Sequence, residues 1–100
     1  MIGIAGYIRV PAGARDLLQP HIATYVPYCR GEAGCNAFEL SYDALDSENL
    51  RVFEIWKDEE SLKAHVASPH EQSWRQACIQ FGAGEHSLTR YDISARKPIG

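Results

Sequence analysis

Two side chains in one short stretch could do proton chemistry together, with an indole between them to wall a pocket. Phe53-Glu54-Ile55-Trp56-Lys57-Asp58 runs on to Leu62 and His65, bringing a carboxylate, an indole and an imidazole within twelve positions. A Glu in an apolar run has to be explained, because a buried carboxylate without a partner is expensive. His65 has the side chain whose ordinary pKa, about 6.5, suits a base at neutral pH. Glu54 could orient that imidazole, assist the proton transfer, or serve as a structural carboxylate bonded across the sheet or at a subunit contact. A base beside a water-poor aromatic pocket can deprotonate an acidic hydroxyl and hold the resulting anion.

Other chemistries lack their residues. A metal site from His65 and His70 with Glu54 or Glu71 fits no common zinc spacing, and the two histidines fall on different predicted helices, so no metal is expected. Gly82-Ala83-Gly84 follows a helix instead of opening one, and no phosphate loop or serine nucleophile elbow is present. No cofactor is expected.

The elements that must position Glu54 and His65 follow from periodicity. Residues 2–10 alternate, with Ile2, Ile4, Ile8 and Val10 on one face and Ala5, Tyr7 and Arg9 on the other, which predicts a strand. Residues 14–30 carry Leu18, Ile22, Tyr25, Val26 and Cys29 at helical spacing. Pro20 and Pro27 share the opposite face of that segment, so a kinked or interrupted helix is expected. Gly31-Glu32-Ala33-Gly34 breaks it. Strands are predicted over about 35–42 and 50–57, joined by a seven-residue polar loop, with Val52, Glu54 and Trp56 on one face of the second. Asp58 caps a short helix holding Leu62, His65 and Val66. Ser68-Pro69-His70-Glu71 opens another, whose stripe is Trp74, Ala77, Cys78 and Phe81. A last strand covers about 87–95.

The order βαββαβ predicts a ferredoxin-like α+β fold: one domain over 1–100, a four-stranded antiparallel sheet, helices on one face. The first and third strands are apolar on both faces, while the helices cover only one. A second copy of the chain is the simplest cover, so a homodimer is expected.

Composition closes off other classes. The chain has 100 residues and a net charge of −3, with a pI near 5.7. It lacks the basic patch that nucleic acid or an anionic membrane would require, and no apolar run nears the ~20 residues of a membrane span. Met1-Ile2-Gly3-Ile4-Ala5-Gly6 does not look like a signal peptide, so a cytoplasmic location is expected. Cys29, Cys35 and Cys78, with no C-x-x-C pair, read as reduced, packed thiols.

The ordered set Val10-Pro11-Ala12-Gly13, Glu32-Ala33-Gly34-Cys35, Phe38-Glu39-Leu40, Glu54-Ile55-Trp56-Lys57-Asp58, Leu62, Ala64-His65 and Ser68-Pro69-His70 resembles the antibiotic biosynthesis monooxygenase (ABM) domain family. The resemblance covers nearly the whole chain. Pro20 and Pro27 depart from that family's usual first helix. The resemblance implies a dimeric α+β barrel and, for some members, oxidation of quinols or phenol-like polycyclic substrates by O2 without a cofactor. Other members degrade haem or isomerise small phosphorylated sugars. The haem-degrading ones use an Asn on the first strand, and none lies between Met1 and Val10 here.

On this reading the chain is a cofactor-independent monooxygenase acting on a quinol or other enolisable aromatic. His65 is the expected base, with Glu54 in support. Trp56, Tyr7, Phe38, Tyr25 and Trp74 would line the substrate pocket, with His21 and His70 as weaker polar candidates. The alternatives are a stress-response module that binds a small molecule in the same cavity without turnover, and an isomerase of a small polar metabolite.

Overall fold

The computed structural model describes all residues 1–100. Its elements run β1 (Ile2–Arg9), α1 (Arg15–Arg30), β2 (Cys35–Asp43), β3 (Asp46–Trp56), α2 (Glu59–Val66), α3 (Pro69–Gln80) and β4 (His86–Asp92). The four strands form one antiparallel sheet in the order β2-β3-β1-β4. This is the ferredoxin-like βαββαβ arrangement expected from the sequence. No helix is long and apolar enough to cross a membrane.

Register decides which residues meet the helices, because directly paired antiparallel residues share a face. Ile4 pairs with Glu54 and with Arg90, and Gly6 pairs with Val52 and with Leu88. Phe38 and Leu40 continue the same row on β2, opposite Glu54 and Val52. This is the helix-covered face. Its core is Leu18, Ile22, Tyr25 and Cys29 of α1 against Phe38, Leu50 and Trp56 of the sheet, with Trp74 and Ala77 of α3. The other face carries Ala5, Tyr7, Phe53 and Tyr91. No element covers it, and Phe53 is 45% exposed there.

Two expectations about connections change. Helix α1 is continuous despite Pro20 and Pro27. Both prolines lie on its exposed side, where a carbonyl that loses its amide partner can turn to water. The expected seven-residue loop between β2 and β3 is a tight turn at Ala44-Leu45. Asp43 Oδ1 accepts from the Leu45 N–H at 2.8 Å and Asp46 Oδ1 from that of Glu48 at 3.0 Å. These local side-chain bonds stand in for backbone ones and extend the ladder into a polar segment. The last strand also ends earlier than expected, at Asp92.

The α2–α3 junction needs only Ala67 and Ser68. Asp58 caps α2 by accepting from the Ser61 N–H at 2.9 Å. Ser68 Oγ donates to the His65 carbonyl at 2.7 Å and accepts from the Glu71 N–H at 3.3 Å. One hydroxyl thus fixes the end of α2 to the start of α3. Cys29, Cys35 and Cys78 are all unpaired thiols.

Candidate functional site

Beneath the helices three carboxylates, two imidazoles and a phenol converge. His65 is 3% exposed and reaches inward from the last turn of α2. Its Nδ1 lies 2.8 Å from Glu32 Oε1. Its Nε2 lies 3.4 Å from the Tyr25 hydroxyl, 3.4 Å from Glu71 Oε2 and 3.9 Å from Glu54 Oε1. The Tyr25 hydroxyl donates a short hydrogen bond to Glu71 Oε2. Glu71 Oε1 accepts from Arg75 Nε at 2.9 Å, one helical turn along. Glu32 Oε1 also meets His70 Nε2 at 2.6 Å.

Each group is positioned by local structure. Glu54 points to the helix side because its register partners Ile4 and Phe38 do. Its Oε1 accepts from the Trp56 indole N–H at 2.9 Å, two residues along the same face. Glu32 is held by the chain break after α1, where the Glu32 N–H donates to the Cys29 carbonyl at 3.1 Å and its own carbonyl accepts from Cys35 at 3.1 Å. The Lys57 N–H anchors the same loop by donating to the Gly34 carbonyl at 2.8 Å. Gly34 has φ +80°, and a Cβ there would lie 2.0 Å from Ser61 Oγ, so only glycine lets this loop close on α2.

A cavity of about 450 Å³ opens between the sheet and α3. Its walls include Phe38, Leu40, Val52, Trp74 and Leu88, and its polar groups include Tyr25, Glu54, Glu71, Arg75 and His86. This is the usual make-up of a small-molecule site: a mostly apolar pocket with a few placed polar groups. Tyr25 stacks on Trp74 with ring centroids 5.1 Å apart and planes 7° apart, and meets Phe38 edge-on at 5.4 Å.

Burial sets the electrostatics. It pushes the Glu54 carboxyl above the ordinary carboxylate range, against the pull of the Trp56 N–H and His65. It also drives the Tyr25 hydroxyl far up, with the Glu71 charge adding to the effect, so Tyr25 stays a donor. The Cys29 and Cys78 thiols rise for the same reason, that of Cys78 to about 12.

Glu54, Tyr25, Phe38 and Trp74 therefore line one cavity. His65 and Trp56 do not line it. Trp56 is fully buried, its ring centroid 4.6 Å from that of His65, and both stand behind the cavity wall. Tyr7 is on the uncovered face, paired with Arg51, and cannot share a pocket with Glu54 within one chain. His21 lies against Phe81, ring centroids 5.8 Å apart, outside the carboxylate–imidazole group. His70 belongs to that group although it sits on a different helix from His65, because the short junction and Glu32 bring the two imidazoles together.

Arg75 did not stand out in sequence, Glu32 did so only within a run of matching residues, and Glu71 only as a rejected metal ligand. Glu71 occupies the third position of a capping box, which already explains a Glu there. Glu32 reads as part of a helix break. The available signal was His65 itself, since a buried imidazole requires hydrogen-bonding partners.

The family model described as antibiotic biosynthesis monooxygenase matches residues 1–77. Among curated proteins none matches the chain. Three solved structures are similar throughout. A candidate antibiotic biosynthesis monooxygenase from Deinococcus radiodurans aligns with TM-score 0.90 at 19% identity, covering 100% of this chain and 99% of that one. One from Nitrosomonas europaea gives TM-score 0.86 at 18% identity, over 95% of this chain and 100% of that one. One from Caulobacter crescentus gives 0.86 at 17%, over 94% and 90%. At these identities the likeness speaks for the fold.

Proposed function

Because the chain belongs to the antibiotic biosynthesis monooxygenase family, we propose that it oxidises a quinol or another enolisable aromatic with O2, using no cofactor. The observation that carries this reading is Glu54, a carboxylate of raised proton affinity facing an aromatic-walled cavity. Glu54 takes the hydroxyl proton of the substrate. The resulting anion is electron-rich enough to pass an electron to O2, which a closed-shell phenol gives up poorly. The guanidinium N–H groups of Arg75 left over from its bond to Glu71 supply donors toward the anion's oxygens, while the single Tyr25 O–H stays on Glu71. Trp74 and Phe38 hold the ring, and Leu40, Val52 and Leu88 keep water from it.

His65 acts one step behind. Its Nε2 faces Glu54, Glu71 and the Tyr25 hydroxyl at 3.4–3.9 Å and accepts the proton from the cavity-facing carboxylate. The first acceptor is thus the strand carboxylate, and the histidine the second, which reverses their expected order.

The working unit is proposed to be a homodimer in which the uncovered sheet faces meet, burying Phe53, Tyr7 and Tyr91. A second reading is binding without turnover, and the same experiment separates the two. Oxygen uptake is measured with a panel of hydroquinones on the wild type, Glu54→Gln and His65→Ala. Uptake on at least one substrate is expected, with a loss of about 10²-fold or more in Glu54→Gln, the scale of a general base. Unchanged uptake in that variant removes Glu54 from the mechanism. Ligand-induced thermal shifts with no uptake on any substrate assign the cavity to binding alone.

A further inference from the structure

On the far side of His65 from the cavity a second constellation is complete in itself. One donor atom each from Cys29, Glu32, His65 and His70 lie within 4.8 Å of one another. Cys29 comes from the last turn of α1, Glu32 from the loop that follows, His65 from α2 and His70 from α3. Cys29 and His65 are buried, whereas Glu32 and His70 are half-buried. A thiol, a carboxylate and two imidazoles make a full tetrahedral set for a borderline-soft divalent cation.

Four further features fit. Two of the donors, Cys29 and Glu32, carry together the two negative charges that a dication needs when they ionise. The side chains already converge: Glu32 Oε1 is 2.8 Å from His65 Nδ1 and 2.6 Å from His70 Nε2. In a tetrahedral zinc site such atoms stand roughly 3.3–3.6 Å apart, so the two Glu32 contacts have to open by less than about 1 Å while the wider pairs, within 4.8 Å, draw in by about as much. His65 Nε2 is backed by Glu71 Oε2 at 3.4 Å and Glu54 Oε1 at 3.9 Å, the outer carboxylate that a metal-bound imidazole commonly has. A surface groove of about 570 Å³, lined by Thr24, Tyr28, Glu32 and His70 among others, gives access from solvent.

The charge balance points the same way. Glu32, Glu54 and Glu71 crowd around His65, yet Arg75 is the only guanidinium or ammonium bonded to any of the three. Charges kept from water are paired or coordinate a metal.

We propose that Cys29, Glu32, His65 and His70 form a binding site for one zinc-class divalent cation per chain. The ion sits on Nδ1 of His65 and takes no part in the cavity chemistry directly. It fixes Nε2 as an N–H donor toward Glu54 and Glu71, so a loaded site withholds His65 as a proton acceptor. The site and its test do not depend on the oxygenase reading, because no substrate enters the experiment.

Chelator-treated protein is titrated with Co²⁺ and then with Zn²⁺, in the wild type, Cys29→Ser and His70→Ala. The expected result is one equivalent of Co²⁺ per chain, with tetrahedral visible bands and a near-ultraviolet thiolate band, all displaced by Zn²⁺. Zn²⁺ should raise the Tm of the wild type. Cys29→Ser should lose the thiolate band, and His70→Ala should bind at least ~10-fold more weakly. His70 is half-buried, so its variant carries the test even if Cys29→Ser does not fold. Absence of both the cobalt bands and a zinc-dependent Tm shift in the wild type overturns the proposal, as does His70→Ala binding as tightly as wild type.

Discussion

At the scale of single residues, Glu54 has the clearest signature. Its folded-state pKa is raised by burial above the roughly 4.3 of an unfolded Glu. Below that unfolded value the group is neutral in both states and costs nothing. As pH rises, the unfolded chain ionises first, and stability falls until the folded pKa is passed. Glu54→Gln retains an acceptor for the Trp56 indole and removes that loss. Thermal melts should show the variant above wild type at pH 7 and level with it near pH 4. For a domain of this size each 1 kcal/mol recovered moves Tm by about 4–8 °C. A difference that grows toward low pH would have the wrong sign and refute the assignment. Much at this scale was legible in sequence: the alternation placed Val52, Glu54 and Trp56 on one face, and helical spacing turned His65 toward the core. Tyr7 was readable too, since it shares a face with Ala5 and Arg9, but only the register Tyr7–Arg51 shows that this face is the uncovered one. The partners of Glu32 and Glu71 were masked by sufficient local explanations, a break and a cap, which say nothing about long-range contacts.

Among the elements, the junction between α2 and α3 determines the site. Ser68 bonds both the His65 carbonyl and the Glu71 N–H, so its hydroxyl sets the distance between an imidazole and a carboxylate 3.4 Å apart. Ser68→Ala should cost about 1 kcal/mol in stability, the usual worth of an N-cap, measurable by denaturant unfolding. If Ser68 only capped α3, the imidazole would be undisturbed. If it also sets the junction, the ring resonances of His65 in NMR spectra should move as well. Element order and type followed from periodicity, capping signals and breakers. The β2–β3 turn did not, because the Asx bonds of Asp43 and Asp46 let polar residues join a ladder that their composition argues against. Likewise, prolines end helices as a rule, but Pro20 and Pro27 are tolerated because both face outward.

For the molecule as a whole, the unbalanced sheet is the dominant feature. One face is buried under three helices while Phe53 and Tyr91 on the other are 45% and 54% exposed. Two such faces brought together would remove apolar area from water worth roughly 25 cal/mol per Å². Sedimentation should therefore give twice the chain mass of 11.2 kDa. Phe53→Glu should shift that toward the single chain, because a carboxylate at the centre of the contact would lose its water. A wild type that sediments as a monomer at all concentrations would leave the face unexplained and the dimer reading without support.

The pairing of β1 with β4 also governs how the molecule gives way under load. The Met1 ammonium donates to the Ile93 carbonyl at 3.1 Å, and the Ile93 N–H to the Met1 carbonyl at 2.8 Å, so the two chain ends leave the sheet side by side. Force applied through the ends pulls across the strands, loading the β1–β4 hydrogen bonds one after another instead of together. The strand peeled away first carries Leu88 and His86, one wall of the cavity. Mechanical tension on the termini would empty the pocket before it melted the core, so a tether or fusion partner at both ends would act on ligand occupancy ahead of stability.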